Sequence, residues 1–382
     1  MKIALYNFNI DSLYVTKLFA ASYNILVLFI LNLVTMNERA GDFLFSFAAI
    51  NMCAVFVRLG SDNYWLKSSG LTLRRTKHDF SFITVITALG SLILYLKVPN
   101  FSGGVHNLIL IFCIIACHHF IALIAKSLQV HKYHHSSLFL QLLGGGFLAI
   151  PFFLVLDCSH LLSIFLSNSL VAGYCFFWHR KRVSFEYVNA SFFERFNYLP
   201  LIYFGALNQN LISVVGGLYA LTSQLPSLVL VQRFFGFASW PAAIYLQRAL
   251  SGLSQSEQLR IPARTHVTRF WKSSVLPTCI LSAILVFVFL WYLFFTSQLS
   301  FNLVFSIVSI QVACLVSALC SLTPQLLSIH NKGLRLVASL FFACFGVLLV
   351  GLSVPNAIML AFCFLVFHVI FASVNHNGIV SL

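Results

Sequence analysis

The chain has 382 residues, of which 60% are hydrophobic and 8% are charged, and its mean hydropathy is +0.92. Soluble domains carry about 25% charged residues, so this composition excludes a water-facing surface and places the chain in a lipid bilayer. The net charge of +14 would indicate nucleic acid as a partner in a soluble protein. Because no basic residue lies in a candidate soluble domain, we expect no nucleic acid and instead expect basic cytoplasmic loops.

A membrane-spanning helix needs about 20 mostly apolar residues, and about twelve such segments follow one another along the chain. They lie at 13–35, 42–61, 80–98, 107–126, 137–156, 161–178, 199–219, 225–247, 274–296, 301–322, 334–353 and 355–374. The apolar run that starts near Leu18 is too long for a cleaved signal peptide. The sequence therefore predicts an all-α polytopic membrane protein with about twelve transmembrane helices.

The distribution of basic residues predicts the orientation, because cytoplasmic loops of membrane proteins carry an excess of Lys and Arg. With the N-terminus in the cytoplasm, 20 of the 23 Lys and Arg residues fall on the cytoplasmic side. Arg39 and Lys97 fall on the opposite side, and Arg233 lies inside a predicted helix. This bias supports an even number of spans, with both the N-terminus and the C-terminus in the cytoplasm.

Loop lengths repeat between the two halves of the chain. In each half a long basic cytoplasmic loop is followed by a short one, at 58–79, 127–136, 248–273 and 323–333. The basic stretch 179–198 divides the chain near its middle. The repeat predicts a six-helix N-lobe over 1–178 and a six-helix C-lobe over 199–382. Lobes of equal orientation are related by an axis along the membrane normal, and the substrate usually lies between them.

The nine acidic residues all fall in or beside predicted loops. Carriers coupled to protons or sodium commonly bury a carboxylate at mid-membrane depth, so carboxylate-based ion coupling is disfavoured, although Asp11 or Asp62 could turn inward. The ten cysteines show neither a CxxC pair nor a Cys/His finger spacing. We therefore interpret them as packing residues and predict no metal, no cofactor and no catalytic residue.

The charge inside the predicted membrane region is positive instead. Arg233 lies about seven residues into the segment 225–247, which is about 10 Å deep at about 1.5 Å per residue. A guanidinium keeps its charge, and placing it in hydrocarbon costs at least a few kcal/mol. Either the side chain snorkels outward or bonds helix carbonyls, or it lines a cavity and binds an anion such as a phosphate.

Two further basic residues lie at ends of predicted helices. Arg58 ends the segment 42–61, in the place that corresponds to Arg233 in the other half. It is either an interfacial anchor, paired with Asp62 at i+4, or a second contact for an anion. Lys17, at the start of the first predicted helix, has the same two interpretations.

Amides and histidines also occur inside predicted helices. The amides Asn208, Asn210 and Gln141 either hydrogen bond between helices or line a polar passage for a sugar. The histidines in predicted helices are His118, His119 and His368. We interpret them as packed neutral side chains, with the alternative that one is the base of an acyltransferase.

Three stretches resemble the bacterial polysaccharide-exporter branch of the multidrug/oligosaccharidyl-lipid/polysaccharide transporter superfamily. The first is NERAGDFLFSFAAINMCAVFVRLGSDNYWLK at 37–67, which is similar to that family's first outer loop and second helix. The second is LIAKSLQVHKYHHSSLFLQLL at 123–143, which resembles the junction of its fourth and fifth helices. The third, at 206–251, resembles its seventh and eighth helices, and Val-Gln-Arg-Phe at 231–234 is similar to the start of helix eight.

The resemblance implies a flippase for undecaprenyl-diphosphate-linked oligosaccharides, such as O-antigen repeat units, in the bacterial inner membrane. Its partners would be that lipid-linked glycan, the bilayer and polysaccharide polymerase machinery. The basic candidates would contact the diphosphate, and the amides would contact the sugar. The aspartate often present in the family's seventh helix is absent near 208–210, which argues against ion coupling through that helix.

Three other functional classes compete with the flippase, and the first, a structural or scaffold membrane protein, would not need Arg233. A multidrug or cation exporter of the same fold is disfavoured because a cationic interior would repel its substrate. A membrane-embedded polysaccharide polymerase or acyltransferase would be an enzyme, but lipid-linked polymerases usually carry a sizeable outer loop. The longest outer loop predicted here is about 99–106. We therefore expect a transporter rather than an enzyme.

Cysteine accessibility tests the predicted orientation. Single cysteines that replace Gly103 and Ser300 should react with a membrane-impermeant thiol reagent added outside the cell, whereas one that replaces Ser254 should not. The native chain, which has ten cysteines of its own, sets the background of the measurement. Labelling of the Ser254 variant from outside would overturn the orientation.

Overall fold

The computed structural model is predominantly helical wherever the chain is described. The structure describes residues 19, 22–58, 73–75, 79–130, 136, 140, 148–179, 185–187, 199–219, 221–239, 241–242, 245–246, 263–295, 301–329, 333–351 and 356–380. The chain divides into two compact units, residues 1–214 and residues 215–382, and the boundary falls inside a helix. The two lobes predicted from loop lengths, with their linker at 179–198, stay a prediction.

The first unit contains six helices and most of a seventh within its described residues. These helices are α1 (Ser22–Val34), α2 (Asn37–Val57), α3 (Asp79–Lys97), α4 (Val105–Val130), α5 (Ala149–Leu156), α6 (His160–His179) and α7 (Leu199–Leu218). Two short strands, β1 (Leu73–Arg75) and β2 (Phe185–Tyr187), pair in parallel with Arg74 opposite Glu186. The pairing joins the predicted loop at 58–79 to the stretch at 179–198.

The second unit continues from the last turn of α7. Its described helices are α8 (Leu225–Gly236), α9 (Ala263–Phe295), α10 (Phe301–Leu319), α11 (Leu322–Ile329), α12 (Gly333–Gly351) and α13 (Ala357–Val380). Short 3₁₀ turns precede and follow α8, at Thr222–Gln224 and Phe237–Ser239. Within the segment predicted as one helix over 225–247, the described residues form an α-helix to Gly236 and a 3₁₀ turn, and residues 241–242 and 245–246 are again helical.

Seven of the described helices are long and apolar enough to cross a membrane, by length and composition. They are Asn37–Val57, Val105–Ala125, His160–Trp178, Thr265–Trp291, Phe301–Pro324, Leu334–Gly351 and Ile358–His376. Two further apolar helices, Ser22–Val34 and Ser81–Lys97, are shorter. The predicted helical, membrane-like class is thus confirmed, whereas the count of twelve spans and the orientation stay predictions.

One face of α9 is apolar and exposed over about four turns. Its exposed side chains recur every three or four residues, at Leu276, Ile280, Ile284, Phe287 and Trp291. This spacing places all of them on one side of an α-helix. An apolar stripe of this length is unfavourable in water, so we infer that this face of α9 contacts lipid chains.

Close helix packing depends on small residues at several contacts. A Cβ atom added at Gly346 of α12 would lie 2.4 Å from Cδ1 of Ile370 on α13. A Cβ atom added at Gly90 of α3 would lie 2.8 Å from the Cys53 sulfur on α2. Membrane helices lack a hydrophobic driving force towards one another, so such close backbone approach is a main source of their association.

Two helices extend beyond the apolar segments that the sequence indicates. The helix α9 begins at Ala263 rather than near 274, so Arg269 and Lys272, predicted in a loop, are helical. Residues 323–329, also predicted as loop, continue the helix α11. Hydropathy marks only the part of a helix that crosses hydrocarbon. Arg, Lys and Leu are good helix formers, so a helix can continue beyond its apolar part.

The packing at Gly90 predicts a difference between two glycine substitutions. We expect Gly90→Leu to lower the stability of the protein by about 1–3 kcal/mol, because the larger side chain must displace Cys53 and Val57 on α2. Gly173→Leu on α6 is the matched control, since a Cβ atom there meets nothing within 4 Å. Thermal unfolding in detergent measures both variants, and equal loss in the two would contradict this account of the packing.

Candidate functional site

Arg233 lies in the last turn of α8 and is partly exposed. The opposite face of the helix is buried and apolar, with Leu228, Val231 and Phe235 in contact with the unit. A cation near the C-terminal end of a helix is stabilised by the helix dipole by about 0.3–1 kcal/mol. The dipole of α8 therefore offsets part of the cost of the Arg233 charge, which the surrounding chain desolvates.

The surroundings of Arg233 come from α9 and α10, which both pack against α8. Cys314 of α10 interacts electrostatically with Arg233 and is itself buried. Phe234 and Phe235, which follow Arg233 in the chain, each pack against the ring of Phe289 on α9, with centroid distances of 5.5 and 5.7 Å. The helices that surround Arg233 thus contribute the Cys314 thiol and the ring of Phe289 to this part of the unit.

A buried hydrogen bond joins α9 and α10 one helical turn from Cys314. The Gln311 amide nitrogen donates to the Ser282 hydroxyl oxygen, and Gln311 is buried. Gln311 thus makes an interhelical hydrogen bond, one of the two roles expected for amides inside predicted helices. The sequence pattern does not predict the interaction of Cys314 with Arg233, because α8 and α10 are far apart in the chain.

Arg58 follows the last residue of α2 and is only 8% exposed. Its Nε donates to the Ala54 carbonyl oxygen at 3.1 Å. The Tyr203 hydroxyl of α7 donates to the neighbouring Phe56 carbonyl at 3.0 Å, and the Tyr203 and Phe56 rings lie 4.1 Å apart. Both hydrogen bonds are made to carbonyls in the last turn of α2, and the Phe56 carbonyl also accepts the backbone N–H of Arg58. The predicted pair with Asp62 lies outside the described residues.

The other predicted site residues divide between local contacts and undescribed parts of the chain. Asn210 is 7% exposed, and its side-chain nitrogen donates to the Ala206 carbonyl at 2.9 Å. Asn208, on the same helix α7, is partly exposed. Lys17 and Gln141 lie outside the described residues. These hydrogen bonds of Arg58 and Asn210 return to their own helices, and the predicted substrate contacts of both residues stay predictions.

A cluster at one end of the first unit was not predicted from sequence. Arg39, in the first turn of α2, forms an ion pair with Asp157, and its guanidinium carbon lies 4.9 Å from the centre of the Phe153 ring. Phe43 stacks on Phe153 at 4.7 Å, and the His160 ring lies 5.3 Å from the same ring. The ion pair is exposed, so it contributes only about 0–1 kcal/mol. The cluster therefore connects α2 to the turn between α5 and α6, and we interpret its role as structural.

Comparison with known proteins returns no match. No protein-family model, no curated protein and no solved structure matches the chain. The likeness of 37–67, 123–143 and 206–251 to a transporter family therefore stays a prediction. Any function has to be argued from the charges and contacts of the described helices.

The hydrogen bond from Tyr203 to the end of α2 predicts a measurable loss of stability when the Tyr203 hydroxyl is removed. We expect Tyr203→Phe to lower stability by about 0.5–1.5 kcal/mol, the net value of a typical hydrogen bond, because the ring packing stays and only the donor to Phe56 is lost. Tyr95→Phe in α3 is the matched control, since no hydrogen bond of its hydroxyl occurs among the described residues. Thermal unfolding in detergent compares the two, and unchanged stability of Tyr203→Phe would contradict the role of this bond.

Proposed function

We propose that the chain is a flippase that moves undecaprenyl-diphosphate-linked oligosaccharides across the bacterial inner membrane, from the cytoplasmic to the outer leaflet, by alternating access and without enzymatic chemistry. The observation that carries this proposal is Arg233, a permanent charge that is partly exposed at the end of an apolar helix. It lies in a chain whose described residues include seven helices long and apolar enough to cross a membrane.

The energetics of Arg233 favour an anionic ligand. Placing an arginine in hydrocarbon costs at least a few kcal/mol, whereas the dipole of α8 returns only about 0.3–1 kcal/mol. A diphosphate carries about two negative charges and matches the planar, bidentate donors of a guanidinium. Binding such a group offsets the cost of the charge and gives Arg233 a role in recognising the head group of a lipid-linked sugar.

The charge of the whole second unit supports the same class of ligand. Residues 215–382 contain eight Lys or Arg residues and one acidic residue, Glu257. A surface of one sign raises the local concentration of ligands of the opposite sign. This charge balance suits a diphosphate and opposes a cationic drug, so the cation-exporter alternative gains no support from the second unit.

The remaining parts of the proposal come from the sequence. Two six-helix lobes with both termini in the cytoplasm would place the glycan between them, while the lipid tail stays in the bilayer. Arg58 would meet the diphosphate at a different stage of crossing from Arg233, with Lys17 as a weaker contact. The amides Asn208, Asn210 and Gln141 would contact the sugar, and polysaccharide polymerase machinery would receive the product.

Substitution of Arg233 tests the proposal directly. A charge-assisted hydrogen bond contributes about 1.5–3 kcal/mol, so Arg233→Ala should reduce export of the lipid-linked glycan about tenfold to a hundredfold. Arg233→Lys keeps the charge but loses bidentate geometry, so its export should be intermediate. Export is measured in cells at matched membrane levels of each variant.

Arg269→Ala is the matched control, because Arg269 is an exposed arginine on α9 in the same unit. It should leave export unchanged. If both Arg233 variants export the glycan at the level of the native protein, the proposed role of Arg233 is wrong. Arg233 would then only stabilise the end of α8.

A further inference from the structure

The exposed apolar face of α9 continues at one end into two cations. Arg269 and Lys272 are exposed, and they precede Leu276 by seven and four residues. These are the intervals that separate neighbours on one side of an α-helix, so both cations share the side of the apolar stripe. We define the α9 lipid face as the two cations followed by the apolar residues Leu276, Ile280, Ile284, Phe287 and Trp291.

The length of the α9 lipid face matches the hydrocarbon core of a bilayer. Lys272 and Trp291 are 19 residues apart, which is about 28 Å of helix at about 1.5 Å per residue. The hydrocarbon core is about 30 Å thick, so a spanning α9 brings Lys272 to one boundary and Trp291 to the other. Tryptophan is enriched at such boundaries. Arg269 lies about 5 Å further out than Lys272 along the helix, in the head-group region.

Trp271, which lies between the two cations in the chain, holds this turn of α9 against its neighbours. Its Nε1 donates to the Leu319 carbonyl of α10 at 2.7 Å. Its ring stacks on the His376 ring of α13, with a centroid distance of 5.6 Å and an angle of 10° between the ring planes. The helix is therefore fixed on its inner side, and the two cations are presented together on its outer side.

The described part of the second unit offers no carboxylate to pair with these cations. Its described residues contain no Asp or Glu, because Glu257, the one acidic residue of 215–382, lies outside them. A phosphodiester head group supplies an anion at the depth where Arg269 and Lys272 lie. The acyl chains of the same molecule cover the apolar residues beyond them, which a free phosphate ion does not. The whole face thus matches an anionic phospholipid in charge, depth and length.

We propose that the α9 lipid face binds an anionic phospholipid, with the phosphate held by Arg269 and Lys272 and an acyl chain against Leu276 and Ile280. Any phospholipid covers the apolar residues, but the two cations favour a head group with a net negative charge. This inference goes beyond the proposed function, because neither cation belongs to the proposed transport path. It concerns the outer surface of the helices and the composition of the lipid that contacts it.

Photo-cross-linking from the α9 lipid face tests the proposal. The full chain carries the cross-linker p-benzoylphenylalanine in place of Leu276, one turn from Lys272, in vesicles of equal parts phosphatidylglycerol and phosphatidylcholine. Mass spectrometry identifies the lipid adducts, and vesicles with the same lipids in both leaflets make the result independent of orientation. The adducts should favour phosphatidylglycerol by up to about thirtyfold, which corresponds to about 1 kcal/mol for each of two basic residues near an anionic surface.

The same cross-linker in place of Phe287 is the matched control. Phe287 is exposed on the same face, about 22 Å from Lys272 along the helix, so its adducts should follow the equal composition of the vesicles. Arg269→Gln combined with Lys272→Gln should lower the ratio at position 276 to that of the control. Arg269→Lys combined with Lys272→Arg keeps both charges and should keep the preference for phosphatidylglycerol.

Equal adduct ratios at positions 276 and 287 would overturn the lipid site, and so would a preference that survives the loss of both cations. If the variant without the cations does not fold, salt decides the question with Arg269 and Lys272 in place. The Debye length falls from about 10 Å at 0.1 M to about 3 Å at 1 M salt, so the preference should fall severalfold. A preference that stays constant counts against the proposal. Export of the glycan, which the Arg233 variants measure, is a separate readout.

Discussion

Hydrocarbon solvates neither a charge nor an unpaired backbone group, and most of the described structure follows from that constraint. Backbone groups are satisfied within helices, and their charged side chains gather towards the helix ends. Arg39 pairs with Asp157 where α2 begins, and Arg58 bonds a carbonyl where α2 ends. The same constraint makes the polar groups that remain deep in the apolar helices informative, because each must be stabilised by a specific neighbour.

Arg233 and His118 represent two ways of carrying polarity in an apolar environment. Arg233 is permanently charged, and the dipole of α8 offsets part of the cost of that charge. The His118 ring nitrogen Nε2 instead lies within hydrogen-bond distance of Asn51 Oδ1 on a neighbouring helix.

Helix association supplies the rigidity that both groups need. Without a hydrophobic drive between helices, close backbone approach and interhelical hydrogen bonds hold the bundle together. Gly346 lets α12 approach α13, and Gln311 joins α10 to α9 beside the neighbours of Arg233. The exposed apolar stripe of α9, from Leu276 to Trp291, lies on the side of the helix opposite Ser282, and we infer that it contacts lipid. The interior of the described helices is mainly apolar with some buried polar residues, and the apolar outer surface is what distinguishes them from the helices of a soluble bundle.

The helical class and the place of most helices follow from the amino-acid sequence, because the length of an apolar segment is a local property. The predicted segments at 301–322 and 334–353, for example, correspond to α10 and α12. The sequence placed the start of α9 about ten residues late, since hydropathy does not register a helix that continues into polar residues. It also singled out Arg233 as an intramembrane charge. Only the tertiary structure showed that Cys314 lies beside Arg233, that Tyr203 caps the end of α2 and that Asn51 holds His118. These contacts join residues far apart in the chain, and they depend on how helices pack, which no local pattern encodes.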